Sequence, residues 1–449
     1  MPDAPQLLDD RAMRDFITRG YATIQTNFAP QFHRDILEQA DKIFTEEGNP
    51  GNDLLPRIPK LYEVLRHPAV DGALASILGP DYIVHPHRHC HFKEPHSKGQ
   101  SHHQDSYEDD QNVRHHRSRW AMAFYYPQDV TLDMGPTSVI PGTHYYNTPD
   151  QAHQRAEAPL CAPAGTVTLV HYDLWHRATP NDSDQKRFMM KFLFCRLHNP
   201  ERPSWNNNEL QWRPLDEAEP NDPPTELCDR MWQWHTGGEN PKNGRDAPIE
   251  QLLEELQSEE EYQRLRAAYA LGAVGEPAVP ALMHVLEREA SERLEANLER
   301  HHTNPGQLDS AYALGATGPA AVPALVKALN HPDWWMRATA ADTLGDMGQF
   351  AGPAIPGLTC LLQDESAWVR RNATEALGIM GPAAAEAALP LANLLRDEHS
   401  YVRHNAATAL WRLGPDARAA TQALRQALED ESYYVRGSAE LALARLCAH

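Results

Sequence analysis

A leucine-glycine pair that returns at a nearly fixed interval constrains the second half of this chain more than any other feature. It occurs at Leu271-Gly272, Leu314-Gly315, Leu344-Gly345 and Leu377-Gly378, and Leu410 and Leu443 continue the register. The successive intervals between these leucines are 43, 30, 33, 33 and 33 residues. A period of this size marks stacked supersecondary units, each too small to bury its apolar face alone. Within one unit Val369, Ala373, Ala376, Leu377 and Met380 fall on one helical face, and Ala388, Leu391, Leu394 and Leu395 on another. Each unit is therefore expected to be a helix pair. Gly275, Gly318, Gly348, Gly381 and Gly414 stand where a first helix should stop, and Pro280, Pro323 and Pro356 where a second should start.

These units resemble HEAT repeats, whose pattern places an aspartate six residues before an arginine. Asp364/Arg370, Asp397/Arg403 and Asp430/Arg436 match, whereas His331 holds that place before Arg337. Extra residues around 289–305 lengthen the second unit, which is expected to be looped. The resemblance covers residues 248–449 and implies an all-α solenoid, a module suited to a protein partner. Trp335, Trp368, Tyr401 and Tyr434 open successive units, and their regular spacing marks them as solenoid packing. Some bilin lyases also use HEAT-like repeats, but the first half of this chain has no part in such a mechanism.

The first half alternates differently. Residues 11–19 and 31–44 read as helices on either side of a strand at 21–25. After residue 81, short apolar stretches at 83–85, 120–126, 166–171 and 188–193 are separated by clusters of Gly, Pro, Asn and Asp. This predicts an antiparallel β-sandwich or jelly roll with flanking helices. Residues 199–246 are rich in Pro, Asn, Asp and Gly, yet 227–235 has a helical pattern that could pack on either half. The expected organisation is α+β: a β domain at 1–200, a linker with a helix at 201–247, and a helical solenoid at 248–449. A length of 449 residues, more than one core usually serves, agrees with two domains.

A formal charge of −21, with no long basic run, disfavours nucleic acid as a partner. No apolar run is long enough to cross a bilayer, and the first residues lack a basic stretch followed by an apolar one, so the chain is expected to be cytoplasmic. The six cysteines are scattered without C-x-x-C pairs, which argues against a disulfide framework and against a thiolate zinc site. The 24 histidines are many, and they crowd between residues 85 and 116.

Four H-x-D triplets occur, at His33/Asp35, His103/Asp105, His171/Asp173 and His331/Asp333. A metal site needs both side chains to point one way, as residues i and i+2 do on a strand but not on a helix. His33 lies in an amphipathic helical pattern and His331 precedes a proline that opens a repeat, so the middle two triplets remain. A third ligand must come from elsewhere. Downstream lies His176 after a strand, followed by Asn181 and, eleven residues beyond His176, by Arg187.

The pattern resembles the phytanoyl-CoA dioxygenase family: an H-Q-D motif, a turn reading Gly135-Pro136-Thr137-Ser138-Val139-Ile140-Pro141-Gly142-Thr143-His144, then a distal histidine, an asparagine and an arginine. Asp15-Phe16, Gly20-Tyr21 and the run Leu78-Gly79-Pro80-Asp81-Tyr82 fit the family's opening, and the match spans residues 10–198. The resemblance implies a double-stranded β-helix oxygenase using Fe(II), 2-oxoglutarate and O2. It makes His103, Asp105 and His176 the iron ligands and Arg187 the partner of the distal carboxylate of 2-oxoglutarate. A guanidinium suits that task because its planar fork meets a carboxylate in two parallel hydrogen bonds. Gln104 and Trp120 match positions near the cosubstrate. Ala178 departs from the serine or threonine often found two residues after the distal histidine, so one cosubstrate hydrogen bond is expected to be missing or replaced.

Two histidines and a carboxylate on one face of an octahedral iron leave three positions open. The chemistry implied is decarboxylation of 2-oxoglutarate to succinate, coupled to oxidation of an unactivated C–H bond of a small molecule or natural-product intermediate. Relatives that halogenate have lost the carboxylate that Asp105 retains, so hydroxylation is preferred. The alternatives are a hydroxylase of a protein or carrier-bound substrate docked by the repeats, and a scaffold without catalysis. His171 and Asp173 read as a packed strand pair beside the site. His85, His87, His89 and His91 alternate along a strand in structural or substrate-shaping roles, and Lys93 reads as an exposed lysine.

Overall fold

The computed structural model describes residues 4–105, 116–148, 154–216, 222–238, 248–295 and 304–447. Two compact units emerge: Met1–Asp105 with Ser118–Pro223, and Ser106–Arg117 with Pro224–His449. Among the described residues no helix is long and apolar enough to cross a membrane.

In the first unit, α1 (Asp10–Arg19) starts at Asp9, whose carboxylate accepts the Ala12 N–H at 2.8 Å, and stops at Gly20. Gly20 has a φ of 82°, and a Cβ there would lie 2.6 Å from His144 Nδ1, so glycine is required twice over. β1 (Tyr21–Gln25) follows, then α2 (Pro30–Glu46), α3 (Leu54–Arg57), α4 (Lys60–Leu65) and α5 (Pro68–Leu78). The remaining strands are β2 (Ile83–Lys93), β3 (Trp120–Tyr125), β4 (Thr137–Val139), β5 (Ala158–Pro159), β6 (Thr166–His171), β7 (His176–Ala178) and β8 (Arg187–Cys195).

They form two antiparallel sheets, one ordered β1-β6-β3-β8-β2 and the other β5-β4-β7, which make the jelly roll. β3 and β8 are buried along their whole length, which explains why they read as continuous apolar runs. Trp120, Met122 and Phe124 of β3 share a core with Val139, Val170, Met189 and Leu193, drawn from both sheets. On the other face Tyr125 donates or accepts through its hydroxyl at 2.8 Å from His33 Nδ1 on α2, so the first H-x-D triplet serves packing.

In the helical unit the first helices of the repeats are Glu261–Val274, Asp309–Thr317, Trp334–Met347, Ala367–Met380, Ser400–Leu413 and Tyr433–Cys447. The repeating leucine is buried from Leu271 through Leu410 and half-buried at Leu443 in the last repeat, and the repeating glycine lets neighbouring first helices touch. A Cβ at Gly345 would stand 2.8 Å from Ala376 Cα, and one at Gly378 2.8 Å from Ala409 Cα. The Asp/Arg pattern works across repeats rather than within one. Arg337, Arg370 and Arg403 each send two nitrogens to the carboxylate 27 residues on, in Asp364, Asp397 and Asp430. The residue six before each arginine contributes only its backbone carbonyl, at 2.9 Å, which is why His331 can stand in for aspartate before Arg337.

The helix Thr225–His235 packs on Glu261–Val274. His116 and Arg117 belong here as well: the His116 ring stacks 4.0 Å from Tyr312 and its Nδ1 lies 2.6 Å from the Tyr269 hydroxyl, while Arg117 pairs with Asp346 at 2.7 Å. The lengthening expected at 289–305 falls partly on residues 296–303, outside the described residues; the helix before them runs Val279–Glu295. Trp335 is a core residue, whereas Trp368, Tyr401 and Tyr434 are half-buried, with the Trp368 and Tyr401 rings 6.2 Å apart.

Candidate metal centre

His176 opens β7 and exchanges two backbone hydrogen bonds with His103, N to O at 2.9 and 3.0 Å, so the two residues face each other as a bridged pair. Their rings lie 4.4 Å apart. Each ring is oriented by its own chain: His103 Nδ1 sits 3.0 Å from the Ser101 carbonyl and His176 Nδ1 2.8 Å from that of Leu174. With Nδ1 carrying the proton, each Nε2 presents a lone pair to the shared point. Asp105 is buried, with Oδ1 4.0 Å from His103 Nε2 and Oδ2 3.7 Å from His176 Nε2. One ligand atom from each of the three lies within 4.8 Å of the others, and among the described residues this is the group of that kind.

Burial would raise the Asp105 carboxyl, but Lys191, His176 and His103 outweigh it and hold the group ionised. Burial pushes His176 down to about 4 against the pull of Asp105, which leaves the imidazole neutral near pH 7. An ionised carboxylate and a neutral imidazole are the ligand forms a divalent metal takes. The donor set of two nitrogens and one oxygen fits iron with open positions.

Arg187 begins β8 and is 0% exposed. Its Nε and Nη2 donate to the Gly135 carbonyl at 3.0 and 2.7 Å, and Nη1 to that of His91 at 3.3 Å. Burial is the main influence on it and lowers its proton affinity. The motif residue Asn181 ties down the loops around it, donating to the carbonyls of Glu94 and Gln185 and accepting from Ser183.

The remaining residues singled out in the sequence have definite places. Gln104 donates to the carbonyls of Tyr146 at 3.2 Å and Asp173 at 2.6 Å. Trp120 lies in the inter-sheet core beside His85 and Tyr172, with ring separations of 5.3 and 6.3 Å. His171 and Asp173 are both buried, and His171 Nδ1 accepts the Asp173 N–H at 3.2 Å. In the P-G-T-H turn, His144 and Tyr145 reach the Ile17 carbonyl of α1 at 3.2 and 2.8 Å. The Ala178 N–H meets the Gln100 side chain at 3.3 Å. Lys93 is half-buried and donates to the Lys98 carbonyl.

Two residues of the site escaped the sequence reading. Lys191 Nζ lies 3.0 Å from Asp105 Oδ2, with the lysine side chain 6% exposed. The signal was available: within RFMMKFLFC, Lys191 is four residues from Arg187 and therefore on the same strand face. Glu157 lies 3.0 Å from His102 Nε2 and 2.9 Å from Arg177 Nη2, so one carboxylate stands beside the chain neighbours of both His103 and His176. No local pattern marked it.

Residues 5–189 match the phytanoyl-CoA dioxygenase (PhyH) family model. Residues 292–378 and 355–444 match HEAT repeats, and 263–288 the PBS lyase HEAT-like repeat. No curated protein matches the chain. Among solved structures it is similar to SnoK, a non-haem α-ketoglutarate-dependent carbocyclase from nogalamycin biosynthesis, at 18% identity over 44% of this chain and 88% of that one, with a TM-score of 0.38. EctD from S. alaskensis is similar at 18% identity over 49% of this chain and 88% of its own, with a TM-score of 0.37.

Proposed function

We propose that this chain, a phytanoyl-CoA dioxygenase family domain followed by HEAT-like repeats, is a hydroxylase of small molecules. Domains of this family are Fe(II)- and 2-oxoglutarate-dependent oxygenases, so the cofactor is Fe(II) and the cosubstrates are 2-oxoglutarate and O2. The observation that carries the reading is the convergence of His103, Asp105 and His176 on one point, with ligand atoms within 4.8 Å. Bound there, Fe(II) supplies the oxidising chemistry that side chains lack. His103 and His176 would hold it through Nε2, and Asp105 through a carboxylate oxygen. With iron bound, the retained Asp105 would hold the position that a halide needs, which favours hydroxylation.

Arg187 would take the distal carboxylate of 2-oxoglutarate. Carbonyl dipoles satisfy its N–H groups without cancelling its charge, and an anion does both. Gln104 and Trp120 act behind the site, the first by holding two carbonyls and the second by walling the core. The repeats offer the extended surface on which a protein partner would dock.

The test is spectroscopic. Anaerobic protein given Fe(II) and 2-oxoglutarate should show a weak visible charge-transfer band, because the cosubstrate chelates iron through keto and carboxylate oxygens. His176→Ala should abolish it. A normal band in both His103→Ala and His176→Ala would refute the ligand assignment. A substrate screen that follows succinate release and hydroxylated product then decides the reaction; a chlorinated product would overturn the role given to Asp105.

A further inference from the structure

β8 carries two charges in an otherwise apolar strand, Arg187 and Lys191, and the mechanism uses only the first. Lys191 stands opposite His89 on β2 and Phe124 on β3. Partners in register project to the same side of a sheet, so these three side chains form a row. The Phe124 ring lies 5.8 Å from that of His176, and Lys191 Nζ touches Asp105, so the row faces the metal centre. His89 and His91 extend it, with rings 4.8 Å apart. Met189 and Leu193 flank Lys191 on the same face and belong to the apolar core.

A buried ammonium needs a compensating charge. Among the described residues the only carboxylate within ion-pair distance of Lys191 is that of Asp105, at 3.0 Å. With the site loaded, the two positive charges of Fe(II) and that of Arg187 are balanced by Asp105 and the two carboxylates of 2-oxoglutarate. Asp105 would then be shared with the metal, and among the described residues Lys191 is left as one positive charge beside a neutral centre. We infer that the substrate carries an acid group, a carboxylate or a phosphate, and that Lys191 binds it. The inference rests on the iron and 2-oxoglutarate reading above and adds a substrate class to it. Lys191 is thereby a specificity residue.

The experiment uses the full chain loaded anaerobically with Fe(II) and saturating 2-oxoglutarate. Octanoate, octyl phosphate and octanamide, whose tails suit the apolar flank, are titrated while the charge-transfer band and the heat of binding are followed. The expected result is that octanoate or octyl phosphate binds at least about tenfold more tightly than octanamide, the scale of one charge-assisted pair; which of the two wins identifies the acid. Lys191→Arg should keep that preference and Lys191→Met should lose it. Equal binding of acid and amide by the unmodified protein overturns the proposal, as does an undiminished preference in Lys191→Met. If Lys191→Met does not load, the unmodified protein and Lys191→Arg decide it. Absence of the band from the unmodified protein would instead be a failure of the iron and cosubstrate reading.

Discussion

Arg370 and Arg187 are both buried arginines, and the two units of this chain treat them in opposite ways. In the helical unit Arg370 meets both oxygens of Asp397, at 2.7 and 3.1 Å, and Arg337 and Arg403 repeat the arrangement. In the β unit Arg187 has only the carbonyls of Gly135 and His91, and among the described residues no carboxylate lies within 4.0 Å of it. A charge neutralised within the fold fixes the register of one repeat on the next. A charge met by dipoles alone fixes no such register, and under the function proposed above its counter-ion is the cosubstrate. Burial of an arginine therefore says little about its role until its partners are known.

The largest effect expected from this contrast is on stability. Arg370→Met strips Asp397 of both charge-assisted bonds and should destabilise the helical unit by about 3 kcal/mol, with affinity for 2-oxoglutarate unchanged. Urea unfolding resolved by hydrogen exchange would measure it; a loss confined to cosubstrate binding would break the comparison. Next comes Arg187→Met, which should shift the unfolding midpoint of the metal-free β unit less than Arg370→Met shifts that of the helical unit. It should weaken 2-oxoglutarate by about 1.5–3 kcal/mol, on the order of tenfold to a hundredfold. Titration of the charge-transfer band decides this, and unchanged affinity would remove Arg187 from the cosubstrate site.

The smallest effect expected is on pH dependence, where the units should move in opposite directions. In the metal-free β unit burial holds His176 down at about 4, against an ordinary 6.5, and burial lowers His33, His67, His89 and His91 too. Between those values the unfolded chain binds protons that the folded unit does not, so stability present above pH 6.5 is lost as pH falls. In the helical unit burial raises Glu289 from 4.5 to about 7, and Asp309 upward as well. There the folded unit binds the extra proton, so stability falls as pH rises from 4.5 through 7. Each swing should be on the order of 1–2 kcal/mol between pH 5.5 and 7.5. Segment-resolved exchange at the two pH values tests it; units weakening in the same direction would show that these burials do not govern the response.

How far the fold and site were legible varies with the kind of signal. Strands β1 and β6 and helices α1 and α2 were visible because alternation or helical periodicity is written locally. β2 was seen only as residues 83–85 and, separately, as alternating histidines; its register shift between Val84 and Arg88 separates His85, packed on Trp120, from His89 and His91, which face the site. The triplets separated for a similar reason. His33 bonds Tyr125, Asp333 caps a helix by accepting from Trp335, and His171 bonds the Asp173 backbone, so one of the four is spent on packing and two on local structure. Lys191 and Glu157 were missed because a lone charge in a strand or loop carries no information about what faces it.

Residue type and spacing along one dimension were enough for the repeat period, the helix pairs, the β half and a short list of candidate metal-binding side chains. Only the tertiary structure decided that each repeat arginine reaches the aspartate of the next unit, that His116 and Arg117 belong with the helices, and that Lys191 meets Asp105. Those pairings join residues 27 positions apart for the repeat arginines, 86 for Lys191 with Asp105, 153 for His116 with Tyr269 and 229 for Arg117 with Asp346. The partner of a charge is set by sheet register and helix stacking, which close loops of that length, and no spacing rule along the chain encodes which side chain waits at the far end.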